Sequence, residues 1–473
     1  MIKIILFIVI VSSVSIAQNY GAWSLTDPLH IPRWHSTSVE LENGNILVSG
    51  GISKDSGNIS DAEIYNYKIE KWEVIHPMVL GRAYHLLLKL SNGNIMAISG
   101  GNYEKRSCEV YDTTTKIWTL IDSLNYERTF GETATLLGNG DVLVVGGYYL
   151  AVGNTKILNS CEIYNARTKK WIVTDSLKID REYHTATKLL DGRILVAGGF
   201  SGTQKELTDC EIYDPNKGEW SEAAPLNIAR FEHTATLLPD GKVLVTGGEN
   251  YSNPTSPWLK TCELYDPIQN KWTIVKSLSV AHSLHSALLL NNGLILITGG
   301  SFNTGIWELY DPKNFTNIYS GSFPNDTVSP SLINLIPNGK VLSAGGMTWT
   351  NASTPLLSAS NLCFLYDPNG ISNIEGGKTI VEDFKLSQNY PNPFNPTTLI
   401  KYKLSTAGNV KLNVYDILGR ELETIVNCFQ QSGNYIVPFD GSKLSSGIYL
   451  YKLEVFGDKG KNYISTKKME LLK

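Results

Sequence analysis

The sequence predicts an all-β chain in which seven repeated units of four short strands are followed by a small antiparallel β-sandwich. Two observations carry the first part. A Gly-Gly pair closes a short apolar run seven times, at Gly50-Gly51, Gly100-Gly101, Gly146-Gly147, Gly198-Gly199, Gly247-Gly248, Gly299-Gly300 and Gly345-Gly346. A few residues before each stands an Asn-Gly or Asp-Gly pair, at Asn43-Gly44, Asn92-Gly93, Asn139-Gly140, Asp191-Gly192, Asp240-Gly241, Asn292-Gly293 and Asn338-Gly339. A period of roughly fifty residues marks a repeat architecture, and Asn-Gly between apolar runs favours a type I′ hairpin.

After each Gly-Gly pair comes a stretch of variable length and then a Tyr, at Tyr65, Tyr111, Tyr164, Tyr213, Tyr265, Tyr310 and Tyr366. Seven residues on, Trp72, Trp118, Trp171, Trp220 and Trp272 complete five units. The sixth has Ile318 in place of the Trp, and the seventh has none after Tyr366. Trp23, placed before Arg33 and His35 much as Trp72 is placed before Arg82 and His85, reads as the missing fourth strand of the last unit. Closure of that kind hides the sheet edges that an open array would expose.

These ordered features, from about Trp23 to Asp367, resemble the kelch and galactose-oxidase-like propeller families. The resemblance implies a seven-bladed kelch-type β-propeller, with Gly-Gly ending the second strand of each blade, Tyr in the third and Trp in the fourth. Copper radical chemistry in galactose oxidase uses two Tyr and two His ligands, and His30, His76 and His282 match none of that site here. No catalytic residue, metal site or cofactor is therefore assigned.

Five cysteines, Cys108, Cys161, Cys210, Cys262 and Cys363, stand three residues before the repeat Tyr, with Ala62 and Trp307 in the same slot elsewhere. Equivalent positions in neighbouring blades exceed the roughly 7 Å reach of a disulfide, so these are expected as free buried thiols. Cys428 stands alone. His35, His85, His184, His233 and His285 are read as one slot at the start of the first strand, filled by Glu132 and Ser331 elsewhere, with Arg82, Arg181 and Arg230 three residues ahead. A polar slot repeated in this way is structural, as are the repeated Glu63, Glu109, Glu162, Glu211, Glu263 and Glu308, which serve as ion-pair or hydrogen-bond partners.

The first seventeen residues read as a signal peptide: Lys3, an apolar run from Ile4 to Val11, and Ser15-Ile16-Ala17 before Gln18. The run is too short to span a bilayer, so cleavage after Ala17 is expected rather than anchoring, with no transmembrane segment in the mature chain. A net charge of −4 over 473 residues gives no basic footprint for nucleic acid.

The expected organisation is a signal peptide at 1–17, the propeller at 18–370, a linker at 371–383 and a last domain at 384–473. Alternating runs such as Leu399 to Leu404 and Val410 to Tyr415 give that domain its Ig-like antiparallel β-sandwich character. Its ordered elements are Asn389-Tyr390-Pro391-Asn392-Pro393-Phe394-Asn395-Pro396, Tyr415-Asp416 with Gly419-Arg420, Gly447-Ile448-Tyr449 and Lys467-Lys468-Met469. They resemble the type A sorting domain of the type IX secretion system of Bacteroidetes. The resemblance implies engagement of the secretion machinery, outer-membrane translocation, and commonly removal of the domain with attachment to surface lipopolysaccharide.

A sorting domain does not say what its cargo does. The second-to-third loops and the blade connections emerge at one end of a four-stranded antiparallel blade, and those loops lengthen in blades three, five and seven. Variable loops on a rigid scaffold carry function. Their aromatic residues Tyr103, Tyr148, Tyr149, Phe200, Tyr251, Trp258, Phe302 and Trp349 are the candidate ligand-binding set, able to stack on sugar or anchor a protein. The expected function is an exported cell-surface or secreted recognition protein whose loop face binds a surface polysaccharide, another glycan or a protein. The alternative is a carbohydrate-active or galactose-oxidase-like propeller enzyme.

Overall fold

A computed structural model describes residues 20–54, 56–100, 105–151, 154–253, 256–300, 306–323, 328–329, 332–349, 357–369, 385–389, 391–404, 408–417, 419–430, 433–457 and 462–473. Residues 1–17 and 371–383, read above as signal peptide and linker, and Tyr103, Phe302, Ser331 and Tyr390 lie outside the described residues. The described residues are all-β, and no helix among them is long and apolar enough to cross a membrane. Asn19–Ile371 form one compact unit, and a second contains Ser372–Lys473.

The blade around Cys210 shows how one repeat folds. Thr185–Lys188, Ile194–Ala197, Cys210–Asp214 and Glu219–Ala223 pair antiparallel in that order. The second strand is buried along its whole length, which is why its sequence is continuously apolar instead of alternating. Tyr213 stands directly opposite Trp220, their ring centroids 5.1 Å apart. The same cross-strand partnership joins Tyr65 to Trp72, Tyr111 to Trp118, Tyr164 to Trp171 and Tyr265 to Trp272.

Among the described residues the unit holds seven such four-stranded sheets. Their first strands, Thr37–Glu40, Leu86–Lys89, Thr133–Leu136, Thr185–Lys188, Thr234–Leu237, His285–Leu289 and Leu332–Leu335, neighbour one another in a closed circle. The last sheet takes its fourth strand from the other end of the unit: Ala22–Leu25 pairs with Cys363–Asp367, and Trp23 stands opposite Tyr366 at 5.2 Å between centroids.

Three details differ from expectation. The Asn-Gly turns are not type I′: of each pair only the Gly has positive φ, and Gly44 N–H donates to Leu41 O while Leu41 N–H donates to Asn45 O. That is a type I turn closed by a left-handed glycine bulge, with the Asn43 carboxamide oxygen accepting from Asn45 N–H. In the sixth blade a bulge between Leu309 and Tyr310 puts Asn317, not Ile318, opposite Tyr310. And His35 does not belong to the histidine slot, which Ser36 fills in the first blade; His35 falls one residue earlier, where Tyr84, Tyr183, Glu232 and Leu284 share its positive φ.

The second unit packs the sheet Lys385–Leu386, Thr397–Leu404, Gly433–Asp440 with the sheet Glu421–Gln430, Gly408–Tyr415, Gly447–Gly457, Asn462–Leu471 around one core that includes Ile400, Leu412, Tyr451, Leu453 and Met469. The sorting-motif residues are tied into this sandwich. Asn389 is buried, its amide donating to Pro391 O and Thr398 Oγ1, and its N–H donates to the Tyr451 hydroxyl. Asn392 Oδ1 and Phe394 N–H bond the last strand at Glu470 N–H and Glu470 O. Pro393 follows a cis peptide bond, Asn395 is exposed, and Pro396 O accepts from Gly441 N–H. Gly419 takes φ +80° in a turn whose Arg420 N–H and Nε both donate to the Asp416 carboxylate. Tyr449, which follows Gly447 and Ile448 in its strand, donates its hydroxyl to Ser445 O.

Candidate functional site

Six of the seven blades are entered through a short segment that begins with a buried basic residue. Arg33, Arg82, Arg128, Arg181 and Arg230 pair with Glu63, Glu109, Glu162, Glu211 and Glu263 of the same repeat at 2.8–3.0 Å. His282 takes the slot in the sixth blade, 3.2 Å from Glu308. Each guanidinium also donates to backbone carbonyls of the second-to-third loop, as Arg230 Nη1 does to Gly247 O and Thr261 O. Nearby Gly-Gly pairs need glycine on two counts: Gly247 sits at φ +62°, and a Cβ there would lie 2.3 Å from His282 O of the next blade.

Three residues after the cation, His85, His184, His233 and His285 point Nε2 at a hydroxyl of the preceding sheet, at Ser49, Thr133, Thr185 and Thr234 respectively, 2.9–3.1 Å away. Burial, reinforced at His85, His184 and His233 by the neighbouring arginine, holds these imidazoles neutral, His85 and His233 near pKa 3. Glu132 fills the slot in the third blade and accepts from Ser99 Oγ. The five repeated cysteines are buried and free, their thiols pushed up to about 12 by burial, each donating to the carbonyl two residues earlier.

The positive-φ residue of each entry segment faces its counterpart. Tyr84 N–H donates to His35 O, Tyr183 N–H to Gly131 O, Glu232 N–H to Tyr183 O and Leu284 N–H to Glu232 O, all at 2.9–3.1 Å. These bonds run from blade to blade at the entry end of the innermost strands, so His35, Tyr84, Gly131, Tyr183, Glu232 and Leu284 rim the central opening. The loops after Gly-Gly emerge at this same end, because the residue following the pair bridges back to the entry segment: Trp34 with Ile52, Phe130 with Tyr148, Glu182 with Phe200, Phe231 with Glu249.

A continuous arc of rings results. Trp34 contacts His35, His35 stacks on Tyr84 at 3.9 Å, and the contacts continue through Phe130, Tyr183 and Phe231 to Tyr251. Of the expected ligand set, Tyr148 stacks on Phe130 at 4.9 Å, while Phe200 and Tyr251 each meet Phe231 edge-on at 5.5 Å, so these three join the arc. Tyr149 turns to Lys105, whose Nζ lies 5.9 Å from the ring centroid. Trp258 flanks Glu249 by a backbone bridge and is 39% exposed, and Trp349 lies in the short strand Met347–Trp349.

The sequence reading missed the acidic half of this opening. Glu182, Glu232 and Glu249 converge there. Ser283 Oγ donates to Glu249 Oε1 at 2.7 Å, and the Glu249 carboxylate raises the pKa of the Tyr251 hydroxyl. Glu182 is only 8% exposed, and its Oε2 has no hydrogen-bond partner. A Cβ on Gly131 would stand 3.4 Å from that oxygen, which places it against the rim. Burial pushes the Glu182 carboxyl up to about 7; Glu232 is raised by burial, then by Glu249 and Glu182. Burial also lowers His35 to about 4, leaving it neutral at the rim.

The Glu182 shift fixes a sign. The folded state keeps a proton that the unfolded chain releases near 4.5, so stability falls as pH rises from about 4.5 to about 7. Glu182→Gln removes that loss, and the difference in Tm between pH 5 and pH 8 should shrink in the variant; an unchanged difference places the carboxylate in water.

A cleft of about 640 Å³ lies at the opposite end, lined by Asn92, Asn94, Asp112 and Asn139 of the turns. Their side-chain oxygens already accept from backbone N–H groups of Asn94, Thr113, Thr114 and Asp141. Among the described residues no group of three or more His, Cys, Asp or Glu could hold a metal ion.

Comparison with known proteins matches the kelch motif at residues 185–227 and 233–279 and the secretion system C-terminal sorting domain at 388–468. Kelch-like protein 23 of Homo sapiens is 31% identical over 263 residues, 54% of this chain and 44% of that protein. An F-box/kelch-repeat protein of Arabidopsis thaliana is 28% identical over 151 residues, 30% of this chain and 39% of that one. The chain thus spans less than half the length of these curated relatives. A fungal alcohol oxidase of the AA5 family, solved with copper, superposes with a TM-score of 0.58 at 13% identity, covering 96% of this chain and 100% of that one, a likeness of fold alone. The chain carries kelch motifs in an all-β, galactose-oxidase-like fold and ends in a secretion system C-terminal sorting domain that implies type IX export to the cell surface or beyond.

Proposed function

We propose that the chain is an exported recognition protein whose ligand, a glycan or a protein, docks on the loop face at the central opening. The observation that carries this reading is the arc of rings from Trp34 to Tyr251 beside three carboxylates, at the end of the ring where the variable loops gather. Tyr251 is 63% and Tyr84 39% exposed, so their ring faces are open to a ligand. Tyr148, Phe200 and Tyr251 support the platform from the loops, with Tyr149 and Trp258 at its margin.

The test combines Tyr251→Ala with Tyr84→Asn, Asn being chosen because Tyr84 sits at φ +58°. The double variant of the full chain should keep its melting transition and lose retention on the glycan or peptide that an array identifies, by about 1 kcal/mol or more per ring. Retention unchanged at equal stability removes the opening as the site. A second reading, glycan processing, is favoured by the Glu182 carboxyl, raised to about 7 and so able to give up a proton near neutrality. Cleavage of an array glycan that stops in Glu182→Gln would select it.

The signal peptide and the sorting domain supply the route. Deleting residues 384–473 should leave a folded propeller in the periplasm of a host with type IX machinery, because the two units have separate cores. Surface labelling at the level of the full chain would contradict that route.

A further inference from the structure

Every buried acid of the repeat slot has a basic partner. Glu63, Glu109, Glu162, Glu211 and Glu263 face arginine, and Glu308 faces His282. Glu182 and Glu249 are 8% and 5% exposed, against 0–4% for these six, and among the described residues neither faces a Lys, Arg or His side chain in an ion pair. Glu249 Oε1 accepts from Ser283 Oγ, while Glu182 Oε2 is buried with no hydrogen-bond partner. A buried carboxylate is costly unless it is paired and hydrogen-bonded. The complement to such an opening is a group of positive charge.

Its surroundings narrow the choice. No described set of three ligating side chains suits a metal ion. Beside the carboxylates run Phe130, Tyr183, Phe200 and Phe231 in mutual contact, rings that attract a cation and cover an alkyl chain. The phenylalanine rings give a sugar hydroxyl no donor or acceptor. We infer that the central opening takes a lysine side chain of a polypeptide partner, its ammonium drawn to the acidic side of the opening where Glu182, Glu232 and Glu249 lie and its methylene stem laid along the rings. This rests on the reading of the loop face as a recognition surface and adds the class of group recognised.

The probe is a lysine-rich peptide, titrated against the full chain by calorimetry at low ionic strength, beside the same peptide acetylated on every Nε and a glucosamine oligomer. The expected result is binding that falls at least tenfold on acetylation, and at least tenfold in the Glu182→Gln, Glu249→Gln double variant. These substitutions remove unpaired charge, so the variant should melt no lower than the parent at pH 8. Equal binding of the acetylated peptide, or undiminished binding by the double variant, overturns the inference. Binding of the glucosamine oligomer without the peptide overturns the polypeptide assignment but leaves the recognition face standing. Loss of no ligand at all in the Tyr84→Asn, Tyr251→Ala variant instead removes the face itself.

Discussion

Deleting residues 20–27 should abolish the cooperative melting transition of the propeller and leave a chain that associates. The segment supplies the outer strand of the last sheet, and without it Cys363–Asp367 becomes an unpaired edge. Trp23 is wedged among Phe323, Tyr366 and Trp307, with centroids 4.3, 5.2 and 6.4 Å away, and the Tyr366 hydroxyl donates to Tyr20 O. Loss of that Trp alone is worth about 3–5 kcal/mol. The segment also ties the last blade to the first, since Asp27 accepts from Lys71 Nζ and Trp72 N–H, its carbonyl accepts from Trp72 Nε1, and Thr26 bonds the Tyr65 hydroxyl. Against a total stability of about 5–15 kcal/mol, removal of all these together leaves no margin. Near-ultraviolet circular dichroism on heating and sedimentation velocity would read both effects. A sharp transition within a few degrees of the parent in a monomeric protein would show that the ring does not depend on its N-terminal strand.

How far the sequence discloses this molecule depends on whether a feature repeats in one slot. Tyr213 and Trp220 are legible because a direct cross-strand pair repeats at fixed spacing, and Trp23 can be recognised as the partner of Tyr366 for the same reason. The Asn-Gly pairs announce turns correctly but not their type, because Asn43 can keep negative φ while Gly44 alone turns left-handed. Arg33 and Arg128 escaped the cation slot because the first entry segment reads Arg-Trp-His-Ser, inviting alignment of His35 with His85, and the third carries one extra residue at Gly131.

The acidic opening is illegible in one dimension for a deeper reason. Glu182 lies one residue after its Arg, Glu232 two after its own, and Glu249 directly after a Gly-Gly pair, three different slots. Only the backbone bonds between successive entry segments bring them together. Stacking the repeats on Gly-Gly would have shown Ile52, Tyr148, Phe200 and Glu249 in one column, a ligand-facing position by its variability in side-chain chemistry.

Arg230→Met should cost about 3–5 kcal/mol, far more than its loss of packing explains, because it strands Glu263 as an uncompensated buried charge. The guanidinium does five things at once: Nη1 donates to Gly247 O and Thr261 O, Nη2 to Thr261 Oγ1 and Glu263 Oε1, and Nε to Ile228 O. Glu263 in turn holds the entry segment through the N–H groups of Asn227 and Ile228. The exposed Lys178–Glu222 pair is the internal control: Lys178→Met should cost no more than about 1 kcal/mol. The sixth blade shows what can replace the arginine. His282 bonds Gly299 O through Nδ1 and Glu308 Oε1 through Nε2, keeping a carbonyl contact and the carboxylate contact. Arg230→His should therefore destabilise less than Arg230→Met, although it has the smaller reach, and its deficit should shrink as pH falls and the imidazole gains charge beside Glu263. Urea denaturation of the three variants at pH 6 and pH 8 decides. Equal loss in the Met and His variants would mean that the slot is held by volume and not by the charge it brings to the carboxylate.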